Sequence, residues 1–136
     1  MDKDVLETKL EALARCVHRI KSQNVISIEE LERNLDKQEI IVLNLQRAVQ
    51  ICVDIGNHVL LDYQTPTPTT MAETFKNLAL NSIISEQNAM ELSHAVGFRN
   101  IAVHQYENID CNIIYAIITN HLDDFKNFAE FIEKTM

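Results

Sequence analysis

Apolar residues recur along most of this chain at intervals of three and four, the period of one helix face. The pattern predicts a first helix over residues 2–22. Its stripe runs through Val5 (or Leu6), Leu10 (or Leu13), Val17 and Ile20, with Lys9, Arg15, Arg19 and Lys21 mostly outside it. A short segment containing Ile28, Leu31 and Leu35 follows, opened by Ser27 with Glu30 three residues on, a capping-box pattern. A second long helix is predicted from about Asp36 to Leu61, where Ile41, Leu45, Ala48, Cys52, Ile55 and Val59 form a heptad-like seam. Ile40, Leu43, Val49, Val53 and Leu60 add a second apolar flank. A helix apolar on two sides needs cover on two sides, so this one belongs at a bundle centre or in a dimer interface.

Thr65-Pro66-Thr67-Pro68-Thr69 is the one clear loop, and Thr70 with Glu73 makes a second capping box. Phe75, Leu78 and Ala79 are expected to face inward on a short helix. Ser85 caps the next, whose stripe of Ala89, Leu92, Val96 and Val103 is interrupted at Arg99. Gly97 lies inside that helix and suggests a close backbone approach or a local distortion. Asn108 or Asp110 starts a last helix with Ile114, Ile118, Leu122, Phe125, Ala129 and Ile132 in its stripe, Ile117 and Phe128 beside it. The sum is an all-α, four- to five-helix antiparallel bundle, a single domain over residues 1–136.

Composition narrows the picture. Only two glycines and two prolines serve 136 residues, too few turn formers for a sheet protein. Cys16, Cys52 and Cys111 form no CxxC pair and read as small core residues in a reducing cytosol. The N-terminus opens into amphipathic helix without a signal-peptide core, and no apolar run reaches the length of a membrane span, so a cytoplasmic protein with no membrane role is expected. A net charge of −8 disfavours a broad basic surface for nucleic acid. A polynucleotide substrate would have to meet a small local patch.

The chemistry concentrates in Arg99-Asn100-Ile101-Ala102-Val103-His104-Gln105-Tyr106. Histidine moves a proton near neutral pH, and arginine offers a charged planar fork that fits phosphate oxygens. His104 would take a proton from a ribose 2′-hydroxyl or protonate a leaving 5′-oxygen, Arg99 would stabilise charge on the phosphate, and Asn100 would orient His104 or bind phosphate. Asn100 and His104 share a face. Arg99 and His104 stand roughly 140° apart on a straight helix, so convergence needs either unwinding near His104 or a second copy across a symmetry axis. On spacing alone, an ordinary helix C-terminus carrying cations fits as well. No Asp/Glu/His cluster elsewhere proposes a metal site.

The string from Gly97 to Tyr106 resembles the Arg-Asn-(three residues)-His-X-Tyr motif of the HepT-like toxins, a branch of the HEPN superfamily of small helical ribonucleases. Cys52-Val53-Asp54-Ile55-Gly56-Asn57-His58 resembles their second long helix. Pro68 with Phe75 and Leu78, then Ile109-Asp110 and the closing apolar helix, follow the family's order. Gln105 occupies a variable position. The resemblance implies a dimerising bundle whose paired motifs line one cleft, and a metal-independent endoribonuclease toxin acting on messenger or transfer RNA without a cofactor. Arg99, His104 and Asn100 match its catalytic residues. It also implies a partner, a minimal nucleotidyltransferase antitoxin of the MntA kind, which uses ATP and magnesium to transfer AMP to the motif tyrosine, Tyr106. The alternative is a non-catalytic helical adaptor binding a nucleotidyltransferase partner or a nucleotide.

Other polar residues have plainer expectations. His58 and His121 read as satisfied core or edge histidines, and His94 can border the cleft. Asp54 is expected in a salt bridge, Asp123-Asp124 on a solvated face, and Tyr63 and Tyr115 at the boundary of the core.

Overall fold

The computed structural model describes residues 2–104 and 108–136, and the described residues form seven helical segments and no strand. They are α1 (Lys3–Lys21), α2 (Ile28–Arg33), α3 (Leu35–Leu60), α4 (Met71–Leu80), α5 (Glu86–His104), α6 (Cys111–Asn120) and α7 (Leu122–Thr135). The excess over four or five has two sources, the six-residue α2 and a break in the last predicted helix at His121. His121 leaves helical geometry (φ −124°, ψ 2°), and its ring Nδ1 lies 3.0 Å from Asp124 Oδ2 in the first turn of α7.

Side-chain caps set where the helices begin. The hydroxyls of Ser27, Thr70 and Ser85 accept from the amides of Glu30, Glu73 and Asn88 at 3.1, 3.2 and 3.0 Å. Asp2, Asn34 and Asp110 do the same for α1, α3 and α6, so of the two starts foreseen for the last helix it is Asp110 that caps. Both capping boxes reach one residue before the cap: Glu30 accepts from the Ile26 amide, and Glu73 from the amide and hydroxyl of Thr69.

The α3 seam is the axis of the core. Ile41, Leu45, Ala48, Cys52, Ile55 and Val59 are all buried, and α1, α4, α5, α6 and α7 pack around them. Val49, Val53 and Leu60 of its second flank are buried too. Ile40 and Leu43 are not, since the described residues leave that side of the N-terminal half partly uncovered. Val103, placed on the α5 stripe by its spacing, is likewise exposed, as is Leu35; Phe98 and Ala102 take the inward positions of α5 instead.

Gly56 is buried where α4 crosses α3. A Cβ there would lie 2.6 Å from Thr74 Cγ2 and 2.9 Å from Leu78 Cδ1, so the bare backbone sets how closely the helices approach. Gly97 corrects the expectation drawn from its sequence position. A Cβ there would meet nothing within 4 Å, because it faces an open cleft.

Candidate functional site

Helix α5 carries the three described residues of the string singled out in the sequence, Arg99, Asn100 and His104. It remains helical through Arg99, Asn100 and His104, so the roughly 140° between Arg99 and His104 persists in the folded chain. Arg99 is half-buried against α3, and its Nη2 donates to Gln50 Oε1 at 3.5 Å. Gln50 in turn donates through Nε2 to Asp54 Oδ1 at 3.0 Å, and Asp54 lies 3.9 Å from Lys9 Nζ. The amide of Gln50 thus separates the guanidinium from the nearest carboxylate of this chain of contacts. Among the described residues no ion pair neutralises Arg99, and its charge stays available to an anion.

Asn100 and His104 are both exposed on the outer face of α5, and no described hydrogen bond joins His104 to Arg99 or to Asn100. Sequence position brings these three residues to one end of one helix, and nothing within the described residues draws them closer. Tyr106 lies outside the described residues, as does Gln105.

Two apolar clefts flank this end of α5. One, ≈ 640 Å³, opens between α5, α6 and α7 with Phe98, Ile101, Ile113 and Ile117 in its wall and His94 at its border. The other, ≈ 700 Å³, is bounded by Leu35, Val42 and Leu43 of α3 and by Val103 of α5. Ile101, Val103, Ile113, Leu43 and Ile40 are exposed around them, a concentration of uncovered apolar surface at the helix that bears Arg99 and His104.

A carboxylate pair sits on the rim of the first cleft. Partial burial and the neighbouring Glu91 raise the Asp124 carboxyl to about 6, and Asp124 holds Glu91 below its ordinary range by sharing its proton. Asp124 therefore departs from the solvated face expected of it, whereas Asp123 is exposed as foreseen. His58 Nε2 accepts from the Asp2 amide at 3.2 Å, and His121 contacts Asp124, so both are satisfied edge residues. The Cys16 and Cys52 thiols are buried and pushed up by that burial, which keeps them protonated and inert. Cys111 is only half-buried.

Gln50 was not singled out in the sequence, and no signal there marks it, because its role exists only once α3 and α5 are packed. Among the described residues no group of three or more His, Cys, Asp or Glu side chains is arranged to hold a metal ion, and no helix is long and apolar enough to cross a membrane.

Comparison with known proteins places this geometry. A family model described as ribonuclease HepT-like matches residues 10–132. The mRNA nuclease HepT of Shewanella oneidensis is 32% identical over 130 residues, which cover 96% of this chain and 97% of that protein. The tRNA nuclease HepT of Aphanizomenon flos-aquae is 28% identical over 128 residues, covering 94% and 87%. The solved structure of the tri-AMPylated Shewanella oneidensis HEPN toxin in complex with MNT antitoxin is similar at a TM-score of 0.89 and 32% identity, over 98% of this chain and 99% of that one.

Proposed function

The chain belongs to the HepT-like ribonuclease family, and from that premise we propose that it is the toxin of a toxin–antitoxin pair, a metal-independent endoribonuclease of the cytoplasm. It cuts messenger or transfer RNA, the two substrates named for its relatives, and is silenced by AMP transfer to Tyr106. The observation that carries the reading is the state of Arg99. This guanidinium is fixed by a neutral amide, is not neutralised by a described carboxylate, and shares a helix end with an exposed imidazole.

The reaction follows general acid–base logic. His104 takes the proton of the ribose 2′-hydroxyl as the 2′-oxygen attacks the adjacent phosphorus. The bond from phosphorus to the 5′-oxygen breaks, and protonated imidazole returns a proton to that oxygen. The products are a 2′,3′-cyclic phosphate and a 5′-hydroxyl end. Arg99 stabilises the negative charge that grows on the non-bridging oxygens, and Asn100 orients His104 or holds the phosphate.

Two copies of the chain would answer the roughly 140° separation of Arg99 and His104 on one helix. The uncovered apolar surface formed by Ile101, Val103, Ile113 and Leu43 supports a homodimer through this face, with Arg99 of one subunit serving His104 of the other. The partner is a nucleotidyltransferase antitoxin that uses ATP and magnesium. An anionic AMP chain two residues beyond His104 blocks the cleft and occupies Arg99.

Expression of the chain alone tests the enzyme. Growth arrest and RNA cleavage that persist in chelator, and vanish in both His104→Ala and Arg99→Ala, are the expected outcome. A parent without effect, or variants as toxic as the parent, returns the chain to the adaptor alternative. With the antitoxin and ATP, the intact mass of the parent should rise by whole AMP units, and that of Tyr106→Phe should not.

A further inference from the structure

The chain carries five arginines; three of them line one cleft, and a fourth, Arg99, contacts the glutamine that also lines it. Arg15 and Arg19, one turn apart on α1, and Arg47 of α3 line a cleft of ≈ 390 Å³ together with Gln50. No acidic side chain lines it, and no described carboxylate stands within ion-pair distance of these three guanidinium groups. Gln50, at one edge of the cleft, is also the residue that receives Arg99. Gln50 thus stands between three arginines of the α1/α3 groove and Arg99, in a protein whose net charge is −8, with the Asp54 carboxylate on its Nε2. The fields of Arg47, Arg19 and Arg15 all reach Cys16 at the cleft floor, partly offsetting the rise that burial imposes on its thiol.

Uncompensated like charges held together repel one another and cost stability, so their convergence on an otherwise acidic surface calls for an anion. Planar guanidinium forks bind phosphate bidentately, and the half-buried Ile51 and Ala12 between them offer an apolar surface for a sugar or base face. We propose that the Arg15/Arg19/Arg47 cleft binds the phosphate backbone of single-stranded RNA beside the scissile position and delivers it across Gln50 to Arg99. The inference rests on the ribonuclease reading above. It also answers the charge problem posed by composition, since a local arginine cluster replaces a broad basic surface.

The test uses the full-length protein and a fluorescent twelve-nucleotide single-stranded RNA of mixed sequence, 2′-O-methylated so that it binds without being cut. The triple variant Arg15→Gln/Arg19→Gln/Arg47→Gln is expected to bind about tenfold more weakly at low salt. The slope of log K against log salt should become shallower by about 2, which is the loss of three phosphate contacts to a single strand. With cleavable RNA, KM should rise while kcat stays within about twofold, because the chemistry lies beyond Gln50. Arg→Lys at the three positions should recover most of the salt slope. The single variant Arg47→Gln, with a third of the effect, repeats the measurement should the triple variant fail to fold.

Parent and variant that bind with the same affinity and slope overturn the inference while leaving the ribonuclease reading intact. A parent that neither binds nor cuts RNA overturns both. A triple variant that binds RNA normally but no longer co-purifies with the antitoxin makes the cleft a protein interface and also overturns the inference.

Discussion

Gln50 Oε1 accepts from Arg99 Nη2 across 3.5 Å, and this contact ties the proposed catalytic arginine to the central helix without neutralising it. A carboxylate at position 50 would hold Arg99 more tightly and cancel its charge. Gln50→Ala is therefore expected to lower kcat/KM for RNA cleavage about tenfold, and Gln50→Glu to lower it further while preserving the contact. If Gln50 only supported packing, Glu would rescue better than Ala. Single-turnover cleavage by the two variants, beside their melting curves, separates the cases.

The uncovered apolar face has its own consequence. Val103 is 43% exposed and Ile113 41% exposed, although both stand in apolar surroundings. Val103→Glu combined with Ile113→Glu should give a folded monomer by light scattering, with helical circular dichroism retained. RNA cleavage should be lost in step with dissociation, because in the proposed mechanism each cleft needs both subunits. Full cleavage by a monomer would remove the shared-cleft mechanism.

Asp124 makes stability depend on pH. Its folded pKa of about 6 lies above the ordinary aspartate value of 3.8, so between these limits the folded state binds more protons than the unfolded. The contribution of Asp124 is fully present below pH 3.8 and is lost as pH rises through 6. Glu91, held low by the same proton, contributes in the opposite sense at more acidic pH. Asp124→Asn keeps a donor toward Glu91 and removes the repulsion of two carboxylates. The variant should therefore gain melting temperature relative to the parent between pH 4 and pH 7, and a difference that does not change with pH would count against the shared proton.

Gly56 sets the spacing of α3 and α4. Gly56→Ala relieves the entropic cost of a helical glycine, about 1 kcal/mol, but drives a methyl into Thr74 and Leu78. Overpacking of this kind costs about 1–3 kcal/mol, and Thr74 cannot swing aside freely because its Oγ1 donates to Asn57 Oδ1 at 2.8 Å. Net destabilisation by a few degrees is expected. Thr74→Ser removes Cγ2 and keeps the hydroxyl, so the double variant should recover part of the loss in a thermal-melt cycle.

The sequence alone determined the helical class, the caps at Ser27, Thr70 and Ser85 and the α3 seam, because these depend on residues within a few positions of one another. The Arg99/Asn100/His104 string and its family resemblance were legible for the same reason. Asn100 and His104 need only one helix to share a face. The failures share a different cause. Leu35, Leu43 and Val103 carry the same period as their buried neighbours, and only the packed helices decide which apolar positions are left uncovered. The two glycines look alike in sequence, yet one meets a crossing helix and the other an open cleft. Gln50 acquires its role from a contact spanning 49 positions, and Arg47 joins Arg15 and Arg19 only where α3 lies against α1. Local periodicity specifies which face of each helix turns inward. Which residues from distant helices meet there is set by tertiary packing, and the surroundings of Arg99 belong to that second kind of information.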